Sequence, residues 1–211
     1  MRLLRYLYYR VFIKTVVMIV LGLNVRHRER LPQQGPAIVV ANHNSHLDTM
    51  VLITALPSHL LPIIRPVAAM DYFLRNPLLA WFALKIVGIL PIARKKEGGE
   101  DPLADCGEAL KAGQILIFFP EGSRGEPEHL AAFKKGISYL AEQHPDVPVY
   151  PVYMHGLGKA LPRGEALLVP FFCDVFVGEP MSWGNDREAY MAALDERMQQ
   201  LAAEGRFPSW D

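Results

Sequence analysis

The most suggestive polar cluster is Asn42-His43-Asn44-Ser45-His46-Leu47-Asp48, which directly follows the apolar run AIVVA. A histidine at the end of a strand can act as a general base if a carboxylate orients its ring. Residues five apart on one helix differ by about 140°, so His43 and Asp48 can meet only if His43 lies in the loop and Asp48 in the first helical turn. Ser45 favours this arrangement, because serine is a good N-cap for a helix that begins at His46.

Two other interpretations fit the same residues. Ser45-x-x-Asp48 resembles a capping box, in which Asp48 would only complete the start of a helix. His43, His46 and Asp48 could instead ligate a metal ion. No second His, Cys or Asp cluster in the sequence completes such a site convincingly, so we expect no bound metal. The residues of this loop alone leave the catalytic pair, the cap and the metal site open.

A second polar loop, Phe119-Pro120-Glu121-Gly122-Ser123-Arg124-Gly125, follows the apolar run QILIFF. Its glycines would let the backbone approach a ligand, and Arg124 offers a planar fork that suits phosphate or carboxylate. Glu121 could alternatively pair with Arg124 or cap a turn. The G-x-S-x-G pattern of serine hydrolases is absent, since Glu121 stands two residues before Ser123, which argues against Ser123 as a nucleophile.

Two further basic groups are candidates for the same site. Arg94 follows the apolar run IVGILPIA, and Lys134 opens a predicted helix. A lysine near the start of a helix opposes the helix dipole unless an anion is bound there, so Lys134 suggests an anion site. A solvated basic surface is an equally good interpretation of either residue.

The chain after residue 30 alternates apolar runs of strand length with segments of helix length, which is typical of an α/β domain. We predict a single domain, 31–211, with a largely buried mixed sheet flanked by helices. The predicted strands are 37–42, 86–93, 114–120, 147–154 and 167–178, and the predicted helices are 46–56, 71–85, 101–112, 133–143 and 186–204. Prolines in the last two strands favour edge positions or bends. Polar chemistry should collect in the loops at strand ends.

Composition narrows the function further. The 211 residues include 22 basic and 22 acidic side chains, so the chain lacks the basic surplus with which a dedicated nucleic-acid binder neutralises phosphates. Its two cysteines, Cys106 and Cys173, form no CxxC pattern, which excludes a disulfide scaffold and a zinc ribbon. A reducing compartment is therefore expected.

Residues 1–30 differ from the rest, with seven basic residues against a single acid, Glu29. Within the apolar run 3–23 the longest uncharged stretch, 15–23, is nine residues, while a membrane-spanning helix needs about 20. On a helical wheel the basic residues Arg2, Arg5, Arg10 and Lys14 share one half, and Leu4, Leu7, Val11 and Met18 gather on the other. We therefore predict a basic amphipathic segment that lies in the membrane interface. A helix packed on the domain and a true span remain alternatives.

The blocks taken together are more specific than their parts. They occur in the order Asn42-His43-(four residues)-Asp48, Gly88–Arg94, Phe119–Arg124 and Val147–Val152. This combination resembles the glycerolipid acyltransferase family, which includes bacterial 1-acyl-glycerol-3-phosphate acyltransferases. Ser123 stands where threonine is commoner, and the segment 69–74 lacks a lysine that family members often carry. That second departure leaves the headgroup of the acceptor open.

The resemblance implies acyl transfer from acyl-CoA or acyl carrier protein to a lysophospholipid hydroxyl, without a covalent acyl-enzyme and without a cofactor beyond the acyl donor. The default product would be phosphatidic acid, made at the cytoplasmic face of a membrane by a peripheral or monotopic enzyme. His43 becomes the base and Asp48 its orienting carboxylate. Glu121 and the backbone around Gly122 belong to the acceptor pocket, with Arg124 and Arg94 on its phosphate. Two other classes compete, a metal-dependent hydrolase and a non-enzymatic lipid-binding module.

Overall fold

The computed structural model describes residues 2–70, 76–93, 101–126, 129–160 and 171–207. A seven-stranded sheet with the order β1-β7-β6-β2-β5-β3-β4 forms its centre. All neighbouring strands are parallel except β6 and β7, which are antiparallel. The strands are β1 Asn24–Arg26, β2 Ala37–Ala41, β3 Ile64–Ala69, β4 Leu90–Ile92, β5 Ile115–Phe118, β6 Val149–His155 and β7 Asp174–Val177.

Helices cover both faces of this sheet. In chain order they are α1 Arg2–Leu7, α2 Lys14–Val20, α3 Leu47–Ala55, α4 Pro77–Phe82, α5 Ala104–Lys111, α6 Gly136–Gln143, α7 Leu157–Ala160 and α8 Arg187–Glu204. A π-helical segment, Tyr8–Ile13, joins α1 to α2, and a second, Ala83–Val87, extends α4. Short 3₁₀ turns lie at Arg28–Arg30 and Ser58–Ile63.

Alternate residues of the central strands point to opposite faces of the sheet and belong to two separate hydrophobic cores. Val39, Ile117 and Met154 face the core that holds α3 and the N-terminal helix, whereas Val40, Leu116 and Tyr153 face α5, α6 and α8. Every residue of β2 and β5 is buried for this reason. The predicted α/β domain with a mixed sheet between helices is therefore confirmed.

The predicted boundaries were wrong in several places. The run 86–93 is not one strand, because its first residues belong to the π segment that ends at Gly88, and only Leu90–Ile92 is extended. Gly88 has φ of 80°, which favours glycine, and a Cβ there would lie 2.6 Å from Arg5 Nη2. Strands β1 and β3 were not predicted. The predicted segments 71–85 and 167–178 lie partly outside the described residues.

The prolines of β6 do not place it at an edge, contrary to the prediction, since β6 lies between β2 and β7. Ile38 N–H donates to Pro148 O, so the alternation of the strand turns the nitrogen of Pro151 toward β7. Pairing with β7 ends one residue away, at Val152 opposite Val177. Pro151 O still accepts from Gly178 N–H at 2.8 Å, so the missing N–H of Pro151 removes only the return bond at this end of the β6–β7 pairing.

The N-terminal helix, residues 2–20 including its π segment, packs on the domain through Tyr9, Ile13 and Val17. The helical wheel placed Arg5 on the same side of the helix as the other basic residues, but in the structure Arg5 does not share an exposed charged side with them. It is buried, and its Nη2 donates to Ile64 O at 3.0 Å and to Val87 O at 3.1 Å. No helix in the described residues is both long and apolar enough to cross a bilayer.

Candidate active site

Both polar loops lie at one edge of the sheet. Strands β2 and β5 are parallel neighbours, with Val40 opposite Phe118. His43 and Glu121 each follow three residues after this pair, so the parallel register brings the two loops together. Gly125 N–H donates to His43 O at 2.9 Å, which ties one loop to the other.

His43 and Asp48 form the predicted pair. His43 Nδ1 lies 2.9 Å from Asp48 Oδ2, and the carboxylate side chain is only 1% exposed while that of His43 is 21% exposed. Because an ionised carboxylate can only accept, Nδ1 carries the proton in this bond and Nε2 is the basic nitrogen. The ring of His43 stacks on Phe119 with centroids 4.3 Å apart, which fixes its plane.

Asp48 also holds the start of α3. Its Oδ2 accepts from Asn44 N–H at 2.7 Å and from Ser45 N–H at 2.9 Å, while Ser45 Oγ accepts from Leu47 N–H at 3.3 Å. The helix begins at Leu47, one residue later than predicted. The catalytic-pair and capping interpretations are therefore compatible, because one carboxylate oxygen makes both sets of contacts.

Glu121 lies beneath the histidine loop and is almost fully buried. Its Oε1 accepts from His43 N–H at 3.3 Å, while Oε2 has no hydrogen-bond partner among the residues that the structure describes. A Cβ on Gly125 would lie 3.3 Å from Oε2, so the glycine packs directly over the carboxyl group. Burial raises the pKa of Glu121 to about 7, with Asp48 adding to the rise and the N–H of His43 opposing it.

Gly122 and Lys134, two further predicted site residues, lie next to each other in the second loop region. Gly122 has φ of 71°, and a Cβ there would lie 2.5 Å from Lys134 Nζ, so the lysine lies across the glycine. Lys134 N–H donates to Pro120 O at 2.9 Å, and α6 begins only at Gly136, so Lys134 is a loop residue rather than the start of a helix.

Arg124 is half-buried and lies close to His46. Burial lowers the pKa of His46, and the positive charge of Arg124 lowers it further. Ser123 is exposed beside them. Arg94 lies outside the described residues. The loops thus bring Arg124 and Lys134 to the same edge as His43.

Sequence reasoning gave no role to Asn42, which joins two strands at this edge. Its Nδ2 donates to Met154 O at 2.8 Å, and its Oδ1 accepts from Met154 N–H at 2.7 Å. The amide is buried. A polar residue directly after a fully apolar strand was the available signal, but nothing in the sequence indicated its partner 112 residues away. Asn42 fixes the carboxyl end of β2 against that of β6, immediately before His43.

No three His, Cys, Asp or Glu side chains within the described ranges are grouped so that they could hold a metal ion. The metal-site interpretation of His43, His46 and Asp48 therefore gains no support from their arrangement. His43 Nδ1, one of the two possible ligand atoms of that ring, already bonds Asp48.

Comparison with known proteins places this arrangement in a family. The family model described as Acyltransferase matches residues 22–155, which is more than half of the chain and includes both polar loops. The chain belongs to the Acyltransferase family. The matched part of the chain begins just after the N-terminal helix and ends at the last residue of β6.

Similar proteins in this family share one description. A chloroplastic 1-acyl-sn-glycerol-3-phosphate acyltransferase of Arabidopsis thaliana is 33% identical over 68% of this chain and 38% of its own length. The alpha form from Ovis aries is 27% identical over 82% of this chain and 59% of its own. The chain therefore spans between about two fifths and three fifths of the length of these relatives.

A solved structure supports the fold. The 1-acyl-sn-glycerophosphate (LPA) acyltransferase PlsC from Thermotoga maritima superposes with a TM-score of 0.79 at 22% identity. The match covers 98% of this chain and 81% of the Thermotoga chain. It thus includes the N-terminal helix, which lies outside the family match.

Proposed function

We propose that this acyltransferase transfers an acyl chain from acyl-CoA or acyl carrier protein to the free hydroxyl of a lysophospholipid. The observation that carries the proposal is the His43–Asp48 hydrogen bond at a sheet edge that also holds Arg124 and Lys134. A base and two cations close together suit a hydroxyl acceptor that also bears a phosphate.

The reaction needs only one proton carrier. His43 Nε2 takes the hydroxyl proton of the acceptor while that oxygen attacks the thioester carbonyl carbon. As the new C–O bond forms and the C–S bond breaks, the imidazolium returns the proton to the departing thiolate. Asp48 stabilises the imidazolium and keeps the ring in the tautomer with Nε2 unprotonated. Holding both substrates beside His43 contributes several kcal/mol by fixing their orientation.

The acceptor class that fits this arrangement best is a 1-acyl-glycerol-3-phosphate, which gives phosphatidic acid. Arg124 would bind its phosphate through the guanidinium fork, and Lys134 would add a second positive charge across Gly122. Relatives described as 1-acyl-sn-glycerol-3-phosphate acyltransferases support this choice. Glu121 and the Gly122 backbone shape the pocket in this proposal.

The N-terminal helix attaches the enzyme to the cytoplasmic face of a membrane in the same proposal. Leu4, Leu7, Val11 and Met18, which the helical wheel placed together, are each about half exposed. Arg10 and Lys14 remain available to anionic headgroups, whereas Arg5 is unavailable because it is buried and bonded to Ile64 O. The side opposite the membrane packs on the domain, so packing and lipid contact are compatible.

The activity is tested by following thiol release from acyl-CoA with detergent-dispersed lysophosphatidate. Lysophosphatidylcholine, lysophosphatidylethanolamine and lysophosphatidylglycerol serve as competing acceptors, and acyl carrier protein as the alternative donor. We expect turnover with lysophosphatidate that a chelator leaves unchanged. Turnover with none of these acceptors would contradict the proposal, and loss of turnover on chelation would favour the metal-dependent hydrolase instead.

The attachment is tested with substitutions rather than a deletion, because Tyr9, Ile13 and Val17 belong to the core. Leu7→Gln with Val11→Gln changes only exposed positions. We expect weaker binding to anionic vesicles and slower turnover of vesicle-borne acceptor, with turnover in detergent retained. Unchanged vesicle binding would contradict attachment through this helix.

A further inference from the structure

The exposed apolar side chains are concentrated on one part of the molecule. Of the fifteen large exposed apolar side chains in the described residues, eight belong to the N-terminal helix and four to residues 77–87. The four are Leu78, Leu79, Trp81 and Leu84, and no residue of α4 is buried. Monomeric soluble proteins rarely expose continuous apolar surface on this scale, and such a surface usually marks a binding site.

Direct contacts make the two elements continuous. The ring of Tyr8 meets that of Phe82 edge to face, with centroids 5.3 Å apart, and stacks on exposed Phe12 at 5.9 Å. Arg5 Nη2 donates to Val87 O at the end of the π segment. The aromatic row Phe12–Tyr8–Phe82 therefore leads from the exposed side of the N-terminal helix to α4.

The charged side chains of the two segments themselves are all of one sign. Residues 2–28 and 76–93 contain no aspartate or glutamate, whereas Arg10, Lys14 and Lys85 are basic. Lys85 is exposed next to Leu84. Trp81 has the amphipathic ring that is enriched where hydrocarbon meets headgroups. Exposed apolar side chains in segments whose own charges are all positive are complementary to an anionic lipid leaflet.

We propose that α4 and its π extension, residues 77–87, form a second lipid-contacting element beside the N-terminal helix, and that its occupant is an anionic phospholipid leaflet. The inference rests on the proposed attachment of the N-terminal helix and extends it to a part of the sheet domain. Two contact elements fix the orientation of the domain on the leaflet, whereas one helix would leave rotation about its axis free.

This orientation bears on the reaction. Tyr9, on the inner side of the N-terminal helix, places its hydroxyl 3.5 Å from Met50 Sδ in α3. Asp48 stands in the first turn of the same helix. The lipid-contacting N-terminal helix is thus joined by direct packing to α3, which carries Asp48. The orientation of the domain on the leaflet therefore sets how His43 meets an acceptor in the membrane.

Tryptophan fluorescence tests the proposal in the full-length chain, which has three tryptophans. One variant keeps only Trp81 (Trp183→Phe, Trp210→Phe), and a matched control keeps only Trp183 (Trp81→Phe, Trp210→Phe). Trp183 packs beside Tyr190 on the other face of the sheet. Vesicles of phosphatidylcholine and phosphatidylglycerol carry bromine on the acyl chains. We expect quenching and a blue shift for Trp81 and neither for Trp183.

A second measurement uses polar substitutions. Leu78→Gln with Trp81→Gln should weaken binding to the same vesicles by about tenfold or more, since it removes two apolar side chains from the contact. Tyr139→Gln is the matched control, because Tyr139 is 42% exposed against 46% for Trp81 but lies on α6 across the sheet. The control should bind vesicles as the unmodified protein does.

Unquenched Trp81 in vesicle-bound protein would overturn the inference. If that protein still transferred acyl chains in detergent, the proposed function would stand and only the second contact would fall. A stable dimer in solution that Leu78→Gln with Trp81→Gln dissociates would also overturn it, because a second copy of the chain would then be the occupant.

Discussion

Two regions of the molecule depart in opposite directions from the usual distribution of polar and apolar side chains. One is the pair of loops that follow β2 and β5, and the other is the outer surface formed by the N-terminal helix and α4. The loops bury polar and charged side chains, including Asn42, Asp48 and Glu121. The outer surface instead exposes large apolar ones, such as Leu7, Val11 and Leu78. In most globular domains polar groups lie outside and large apolar groups inside.

The difference teaches how each departure is stabilised. Asn42, Asp48 and Glu121 each form hydrogen bonds with backbone groups, so the protein itself compensates for part of their desolvation. The exposed apolar side chains have no such compensation within the described part of the chain, and burial against another phase would remove the cost. The first region therefore indicates internal chemistry, and the second indicates an external contact.

The largest effect should come from Asp48→Asn, which keeps the shape of the side chain but removes its charge. We expect kcat to fall by roughly 10²–10⁴-fold, because the imidazolium loses its stabilising anion and its tautomer is no longer fixed. Asp105→Asn is the control, an exposed acid in the first turn of α5. Full activity combined with lower thermal stability would show that Asp48 only caps α3.

The next effect concerns Arg124→Ala, measured by steady-state kinetics with both substrates varied. We expect the KM for the phosphate-bearing acceptor to rise by roughly 10–100-fold, since a charge-assisted bidentate contact is lost. The KM for the acyl donor should change little and serves as the internal control. Arg124→Lys should restore little, because an ammonium does not reproduce the fork. Equal damage to both substrates would contradict phosphate binding.

Glu121 predicts a pH dependence of stability. Its pKa is raised to about 7 in the folded chain, compared with an ordinary value of 4.5. Between these two pH values the carboxyl group is protonated in the folded state and ionised in the unfolded state. The free energy of unfolding should therefore fall as pH rises from about 4.5 to 7, by roughly 2–3 kcal/mol. Denaturant titrations across this range check the slope, and Glu121→Gln should flatten it. An unchanged slope in Glu121→Gln would assign it to other groups.

The smallest effect is expected for Asn42→Ala, which leaves the N–H and C=O of Met154 without their side-chain partner. Chemical denaturation should show a loss of about 2 kcal/mol in the free energy of unfolding. Asn24→Ala removes an exposed hydrogen bond to Asp174 and should cost less than about 0.5 kcal/mol. Equal losses in the two variants would mean that the Asn42–Met154 bonds between β2 and β6 stabilise the fold no more than an exposed hydrogen bond does.

Much of the site was predictable because its geometry is local. His43 and Asp48 are five residues apart across a strand–loop–helix junction, and stereochemistry alone restricts how they can meet. That polar side chains would collect in loops at strand ends was also predictable, because it depends only on where each apolar run stops. The convergence of these two particular loops depends on the parallel pairing of β2 with β5, which the sequence did not predict.

What the sequence did not predict depends on partners far along the chain. A helical wheel gives the direction of Arg5 but not the carbonyls of Ile64 and Val87 that receive it, and the π segment at Tyr8–Ile13 shifts the phase of the wheel. The bond from Asn42 to Met154 is equally non-local. Strand β3, with an internal arginine and proline, becomes a strand through pairing with β5 in its first half and with β4 in its second.

The central claim is that His43, oriented by Asp48, is the base of acyl transfer, and comparison of two neighbouring histidines tests it most directly. Thiol release from acyl-CoA would be measured with lysophosphatidate in detergent for His43→Ala and for His46→Ala, after circular dichroism confirms that both fold. We expect a loss of at least about 10²-fold for His43→Ala and less than about threefold for His46→Ala. An active His43→Ala enzyme would contradict the claim, and equally severe losses in both would indicate that the two histidines share a bound ion.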